Sequence, residues 1–152
     1  MKQLYYDVKK CLGCRSCEIA CAVAHSEGRD LWKAIKEEIK SLPRKQVLAF
    51  EDENYPVSCR NCDEPKCVEA CMAVALSYDV KLGIVQHDKK RCVGCWMCVM
   101  SCPFGAIRPD INTKVPLRCD KCIDRDEPSC LKACPTKAII WQEEVAVQGK
   151  MD

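Results

Sequence analysis

What this 152-residue chain lacks narrows the field first. It has only three tryptophans, four tyrosines and two phenylalanines, and its 48% hydrophobic content includes 16 cysteines. Other apolar side chains therefore make up only about 37% of it, low for a packed domain. Chains with so thin an aliphatic and aromatic core need disulfides or metals as staples. No run of about 18 apolar residues occurs, so no segment reads as a membrane span. Charge of one sign is missing too: 24 basic residues against 22 acidic ones leave +2, which gives no footprint for nucleic acid. The short basic stretches Lys9-Lys10 and Lys89-Lys90-Arg91 read as solvated surface. The N-terminus reaches Cys11 with no apolar leader core, no small-residue cleavage site and no Arg-Arg pair, so a reducing, cytoplasmic setting is expected and disulfides are disfavoured. There is no glycine-rich nucleotide loop, no C-x3-C-x2-C radical motif and no Ser/His/Asp constellation, and no catalytic residue is assigned.

What is present is cysteine, in four groups of four: Cys11, Cys14, Cys17, Cys21; Cys59, Cys62, Cys67, Cys71; Cys92, Cys95, Cys98, Cys102; and Cys119, Cys122, Cys130, Cys134. The first and third groups share C-x2-C-x2-C-x3-C, and Asp7 to Cys14 matches Asp88 to Cys95 at a constant offset of 81. The second and fourth groups repeat each other through Pro56/Pro116, the Asp63-Glu64-Pro65 and Asp126-Glu127-Pro128 turns, and Ala70-Cys71/Ala133-Cys134. The chain is a duplicated unit of two cysteine motifs, with about 21 extra residues in the first copy, mostly between Gly28 and Phe50.

C-x2-C-x2-C-x3-C-P is the run in which bacterial-type ferredoxins hold cubane clusters: three closely spaced thiolates grip three irons, and the fourth reaches another cluster. Cys92, Cys95, Cys98 and Cys102-Pro103 fit it completely. Zinc ribbons usually separate two C-x2-C pairs by a longer stretch, so three cysteines within seven residues, twice, favour iron-sulfur; a zinc-stapled structural or interaction module is the alternative. Gly13 and Gly94 let the backbone wrap closely around a cluster, or serve only as turn residues. Four cubanes consume all 16 thiolates, and no open position remains for a substrate, so the chain is expected to carry electrons rather than act as an enzyme.

Short helices on the cysteine runs and short strands after them predict an α+β fold. Strand signals are Ala73 to Leu76, Ala106-Ile107 and Ala138 to Trp141, with a hairpin from Ser77 to Gln86. Leu31, Ala34, Ile35, Glu38, Ile39 and Leu42 predict an amphipathic helix of about three turns, capped by Asp30 and stopped by Pro43. Its apolar stripe is expected to close over a metal site of its own chain, with a partner-docking or oligomer-building role as the sharper reading. His25, His87, Trp32 and Trp96 read as packed or surface residues, Trp96 being placed to shield a cluster; Gln148 to Asp152 is expected to fray.

Over about residues 4 to 141 the quartet of motifs resembles the four-cluster ferredoxin-like electron-transfer subunits of multi-subunit redox enzymes, of the dimethyl sulfoxide reductase and formate dehydrogenase small-subunit type. Cys17 to Ser26, followed by Asp30-Leu31 and Ala34-Ile35, is similar to the branch associated with carbon monoxide dehydrogenase. Ala22 and Met72 stand where many relatives carry proline. The resemblance implies a duplicated bacterial-ferredoxin-like fold whose two lobes each hold two [4Fe-4S] clusters. One lobe combines residues 1–46 with 111–152, and the other is residues 47–110. It implies crossed ligation: Cys11, Cys14, Cys17 with Cys134; Cys119, Cys122, Cys130 with Cys21; Cys59, Cys62, Cys67 with Cys102; and Cys92, Cys95, Cys98 with Cys71. The partner it implies is a catalytic redox subunit, such as a carbon monoxide dehydrogenase, formate dehydrogenase, hydrogenase or molybdenum/tungsten enzyme.

Overall fold

A chain punctuated every few residues by cysteines, prolines and turns can build only short elements. The structure, a computed structural model, describes residues 2–143; the expected frayed tail at Gln148 to Asp152 lies outside the described residues. In chain order the elements are β1 (Lys2–Tyr6), α1 (Ser16–Ala24), α2 (Leu31–Lys36), β2 (Lys45–Phe50), β3 (Glu53–Ser58), α3 (Lys66–Glu69), β4 (Leu76–Asp79), β5 (Ile84–His87), α4 (Met97–Met100), β6 (Arg108–Asp110), β7 (Val115–Leu117), α5 (Ser129–Lys132) and β8 (Ile139–Glu143). The strands pair antiparallel in twos: β1 with β8, β2 with β3, β4 with β5 and β6 with β7. This is the expected α+β mixture, and the Ser77 to Gln86 hairpin is realised as β4–β5. Asp79 makes its turn, accepting from the amides of Lys81 and Leu82 at 2.9 and 3.1 Å. The β1–β8 ladder ties the two ends of the described chain together, from Lys2 opposite Glu143 to Tyr6 opposite Ile139.

The duplication extends to the backbone. Gly13 and Gly94 have φ of +68° and +69°, Arg15 and Trp96 of +59° and +62°, and Asn61 and Lys121 of +50° and +56°. Side-chain-bearing residues in this region cost roughly 1–3 kcal/mol each and persist only where the surroundings impose them. Strain kept at matching places in both copies means that the loop shape is fixed by what the loops hold.

The copies differ in how far the helix of the first motif runs, and proline is not the only stop, since α3 ends at Glu69 although Met72 follows Cys71. Pro103 follows Cys102 and α4 has stopped by Met100, whereas Ala22 follows Cys21 and α1 runs on to Ala24.

Apolar residues and cysteines share two cores. One gathers Cys17, Val47, Cys130 and Ile139 with Leu4, Tyr6 and Leu131; the other gathers Cys67, Leu76, Val85, Cys98 and Ile107 with Val68 and Tyr78. The cysteines are part of the packing.

The predicted three-turn helix is shorter than its periodicity. Asp30 does cap it, accepting from the amides of Trp32 and Lys33 at 3.0 and 3.2 Å. It ends at Lys36 because Glu37 turns to extended backbone (φ −58°, ψ 138°) and its carboxylate reaches back to the Gly28 amide at 2.9 Å. Nor does its apolar side close over a metal site: Leu31, Trp32, Ile35 and Ile39 are 45%, 73%, 56% and 65% exposed.

Candidate metal centres

The C-x3-C spacing places the third and fourth thiols of each group one helical turn apart. Cys17, Cys67, Cys98 and Cys130 are buried within α1, α3, α4 and α5. Cys21 sits one turn further along α1, and Cys71, Cys102 and Cys134 lie just past the ends of α3, α4 and α5. A C-terminal thiol so displaced can serve a different centre from the three before it.

The recesses show this mixing of groups. Cys11, Cys14, Cys17 and Cys134 line one with about 320 Å³ of empty space, its mouth included. A second of about 300 Å³ is lined by Cys21, Cys119, Cys122 and Cys130, and a third of about 340 Å³ by Cys71, Cys92, Cys95 and Cys98. Cys59 and Cys62 open on a wider groove beside Phe104, while Cys67 and Cys102 pack in the second core. Cys102 interacts electrostatically with the thiols of Cys59, Cys62 and Cys67.

These thiols suit a bound cationic core. Burial pushes Cys98 and Cys130 up to about 11 and Cys119 higher still, so each is protonated at neutral pH until a metal compensates the thiolate. At Cys134 burial also raises the pKa, but the Thr136 hydroxyl and the amides of Ile139, Ala138 and Thr136 outweigh it and hold the thiol below its usual range. The amides of Arg44 and Ala75 donate to the sulfurs of Cys21 and Cys71, both at 3.3 Å. Amide-to-sulfur bonds of this kind tune iron-sulfur centres. The donor set, four thiols converging with amides behind them, fits [4Fe-4S] clusters.

Both loop glycines adopt left-handed backbone, and close neighbours crowd them. A Cβ at Gly94 would sit 2.9 Å from the Lys114 carbonyl oxygen, and one at Gly13 would run into the Asn54 side chain.

Several polar residues beside the recesses were not legible as a site. His25, read as packed or surface, places Nδ1 2.7 Å from the Cys21 carbonyl and Nε2 3.2 Å from both Asp120 carboxylate oxygens, and Arg44 pairs with the same carboxylate. Burial alone would lower the His25 pKa; the hydrogen bonds to the Asp120 carboxylate and to the Cys21 sulfur and carbonyl together outweigh it and raise it to about 9, so both ring nitrogens donate. The ligand atoms of His25, Asp120 and Cys122 lie within 4.8 Å of one another, but Asp120 is engaged by ion pairs to His25 and Arg44 and by the Cys122 amide at 3.1 Å. Lys45 and Arg118 are 3% and 7% exposed. His87 and Trp96 line the recess of Cys92, Cys95 and Cys98, whereas Trp32 is exposed. The one sequence signal available was position: Asp120 and Asn61 sit inside the C-x2-C pairs, and Arg118 precedes one.

Among the described residues no helix is long and apolar enough to cross a membrane. Residues 51–144 match the family model described as a 4Fe-4S dicluster domain. The chain is 39% identical to an iron-sulfur protein of Rhodospirillum rubrum, covering 90% of this chain and 79% of that one. It is 37% identical to the electron transport protein HydN of Escherichia coli K12, over 88% and 83% of the two chains. The thiosulfate reductase electron transfer subunit PhsB of Salmonella typhi is 34% identical over 90% and 72%. Among solved structures, a chain of the active site complex BamBC of benzoyl coenzyme A reductase superposes with a TM-score of 0.54 at 22% identity, over 93% of this chain and 79% of that one, which speaks for the fold alone.

Proposed function

The chain belongs to the 4Fe-4S dicluster family and is an electron-transfer iron-sulfur protein, and from that premise we propose that it holds four [4Fe-4S] clusters and relays single electrons between a catalytic redox subunit and a second donor or acceptor. Each cubane, when bound, supplies a one-electron couple. The chain's own residues hold it, shield it and set its surroundings. The observation that carries the reading is the composition of the three recesses, each of which joins three thiols of one motif to a single thiol from a distant one.

Crossed ligation follows, with Cys11, Cys14, Cys17, Cys134 and Cys21, Cys119, Cys122, Cys130 in one lobe. Cys59, Cys62, Cys67, Cys102 and Cys71, Cys92, Cys95, Cys98 form the other. The two separate cores support this division. Seams at 46/47 and 110/111 would cut through the β2–β3 and β6–β7 hairpins, which pair along their whole lengths. Val47 packs with Cys17 and Cys130, and Lys114 lies against Gly94. We therefore draw the first lobe as 2–58 with 119–143 and the second as 59–118, Arg118 going with the Val85 carbonyl it holds. The partner is of the class whose subunits the relatives' names record, a multi-subunit oxidoreductase; the carbon monoxide dehydrogenase branch is the candidate drawn from Cys17 to Ser26. The test is stoichiometry: anaerobically purified protein should contain about 16 iron and 16 sulfide per chain. About eight iron, or about four zinc, would overturn the four-cluster reading.

A further inference from the structure

A buried cation is expensive without a counter-charge. Three lie almost wholly out of solvent here, Lys45 at 3% exposure, Lys121 at 5% and Arg118 at 7%; Lys121 donates to the Gly83 carbonyl at 2.8 Å, and Lys45 and Arg118 form no ion pair with a carboxylate among the described residues. Their neighbours are thiols. Lys45 lines the recess of Cys21, Cys119, Cys122 and Cys130, its Nζ 4.5 Å from the centre of the Tyr6 ring and 3.4 Å from the Tyr6 hydroxyl. It interacts electrostatically with Cys130 of that recess and with Cys17 of the other recess in the first lobe. Arg118 donates through one Nη to the Val85 carbonyl, and its other Nη is buried with no hydrogen-bond partner among the described residues. Val85 packs in the core that contains Cys67 of one quartet and Cys98 of the other, and the Arg118 charge reaches both of these thiols and Cys59.

The two cations are related through one position of the repeat. Arg118 immediately precedes the first cysteine of the fourth motif, where the second motif has Ser58, and Lys45 stands opposite Ser58 in the β2–β3 register. Ser58 is thus the common reference: Lys45 faces it across the hairpin of the first copy, and Arg118 replaces it in the second.

We infer that Lys45 and Arg118 are lobe-specific redox-tuning residues, each buried between the two clusters of its lobe and each raising the reduction potentials of both. The inference rests on the four-cluster, crossed-ligation reading above. A [4Fe-4S] core with four thiolates is a net anion and reduction makes it more negative, so a fixed cation between two such centres favours the reduced state of both. The unpartnered Arg118 Nη supplies a donor for a sulfur of a bound cluster.

The test measures iron content and midpoint potentials of anaerobically prepared holo-protein for wild type, Lys45→Met, Lys45→Arg and Arg118→Met. Lys45→Met should keep the wild-type iron content and lower two of the four couples, each by about tenfold in its reduction equilibrium constant, or about 59 mV for one electron. Lys45→Arg should hold both near wild type, and Arg118→Met should lower the other two couples. If Lys45→Met sheds iron, Lys45→Gln, which keeps a polar group against Tyr6, carries the same expectation. Unchanged potentials at full iron, or the same couples moving in the Lys45 and Arg118 variants, would overturn the inference alone. A wild-type protein with about eight iron would overturn it together with the four-cluster reading, and would show before any variant was made.

Discussion

The loop of Cys11, Cys14 and Cys17 and the loop of Cys92, Cys95 and Cys98 follow the same backbone path and present different faces. In the first, left-handed Arg15 leads into Ser16; in the second, left-handed Trp96 leads into Met97, which is 43% exposed. Beside the joining thiols, Cys134 is followed by Thr136 and Lys137, whereas Cys71 is followed by exposed Met72 and Val74. Beyond the shared glycines Gly13 and Gly94, the residue after the first cysteine stays alike, Leu12 and Val93, at 70% and 72% exposure. Backbone held constant while the outer side chains diverge separates two demands: cluster geometry fixes the first, and what approaches from outside acts on the second.

The largest effect should come from removing the iron. Because Cys17 and Cys130 belong to one core and Cys67 and Cys98 to the other, stripping the clusters should unfold both regions together, a loss of about 10 kcal/mol on the scale of structural metal sites. Circular dichroism of anaerobically chelated protein checks this, and a native spectrum surviving in the apo state would break the symmetry between cysteine packing and metal. Next comes Ala22→Pro, which gives the first copy the proline of the third motif. It should stop α1 a turn early, detach His25 from Asp120 and cost about 3 kcal/mol in denaturant unfolding, with iron content unchanged.

The two loop glycines sharpen the comparison further. Both sit at positive φ, where a side chain costs roughly 1–2 kcal/mol. Gly94→Ala should cost more than Gly13→Ala, because Gly94 faces the Lys114 backbone while Gly13 faces an Asn54 side chain that can swing away. Chemical denaturation of the two variants ranks them directly. The smallest effect is expected at α2, a feature of the first copy: Asp30→Ala should cost about 1 kcal/mol locally, seen as faster amide exchange at Trp32 and Lys33, with the cluster spectra unmoved.

The parts of this design written locally were legible in the sequence. Cysteine spacing within each motif, the β4–β5 hairpin and the Asp30 cap all depend on residues within a few positions of one another, and the 81-residue offset shows as a second copy of such a local pattern. The periodicity predicts a longer α2 than forms because it records which residues are apolar; it does not record that Glu37 can leave the helix to hold the Gly28 amide. The buried polar groups were missed for a related reason. His25 and Asp120 are 95 residues apart in sequence, and Arg118 reaches the Val85 carbonyl 33 residues away, so their meaning exists only after the chain ends have been brought together.

Crossed ligation makes the first lobe depend on both ends of the chain, and a single cysteine variant exposes that dependence. Cys134 lines the recess of Cys11, Cys14 and Cys17, so Cys134→Ala should perturb the cluster held by those three, while Cys21→Ala should perturb the cluster of Cys119, Cys122 and Cys130. Cluster-resolved spectroscopy of the two variants should show the centres of Cys59 to Cys102 intact in both. If Cys134→Ala instead removes the cluster of Cys119, Cys122 and Cys130 and spares the first, each motif closes its own centre and the crossed arrangement is wrong.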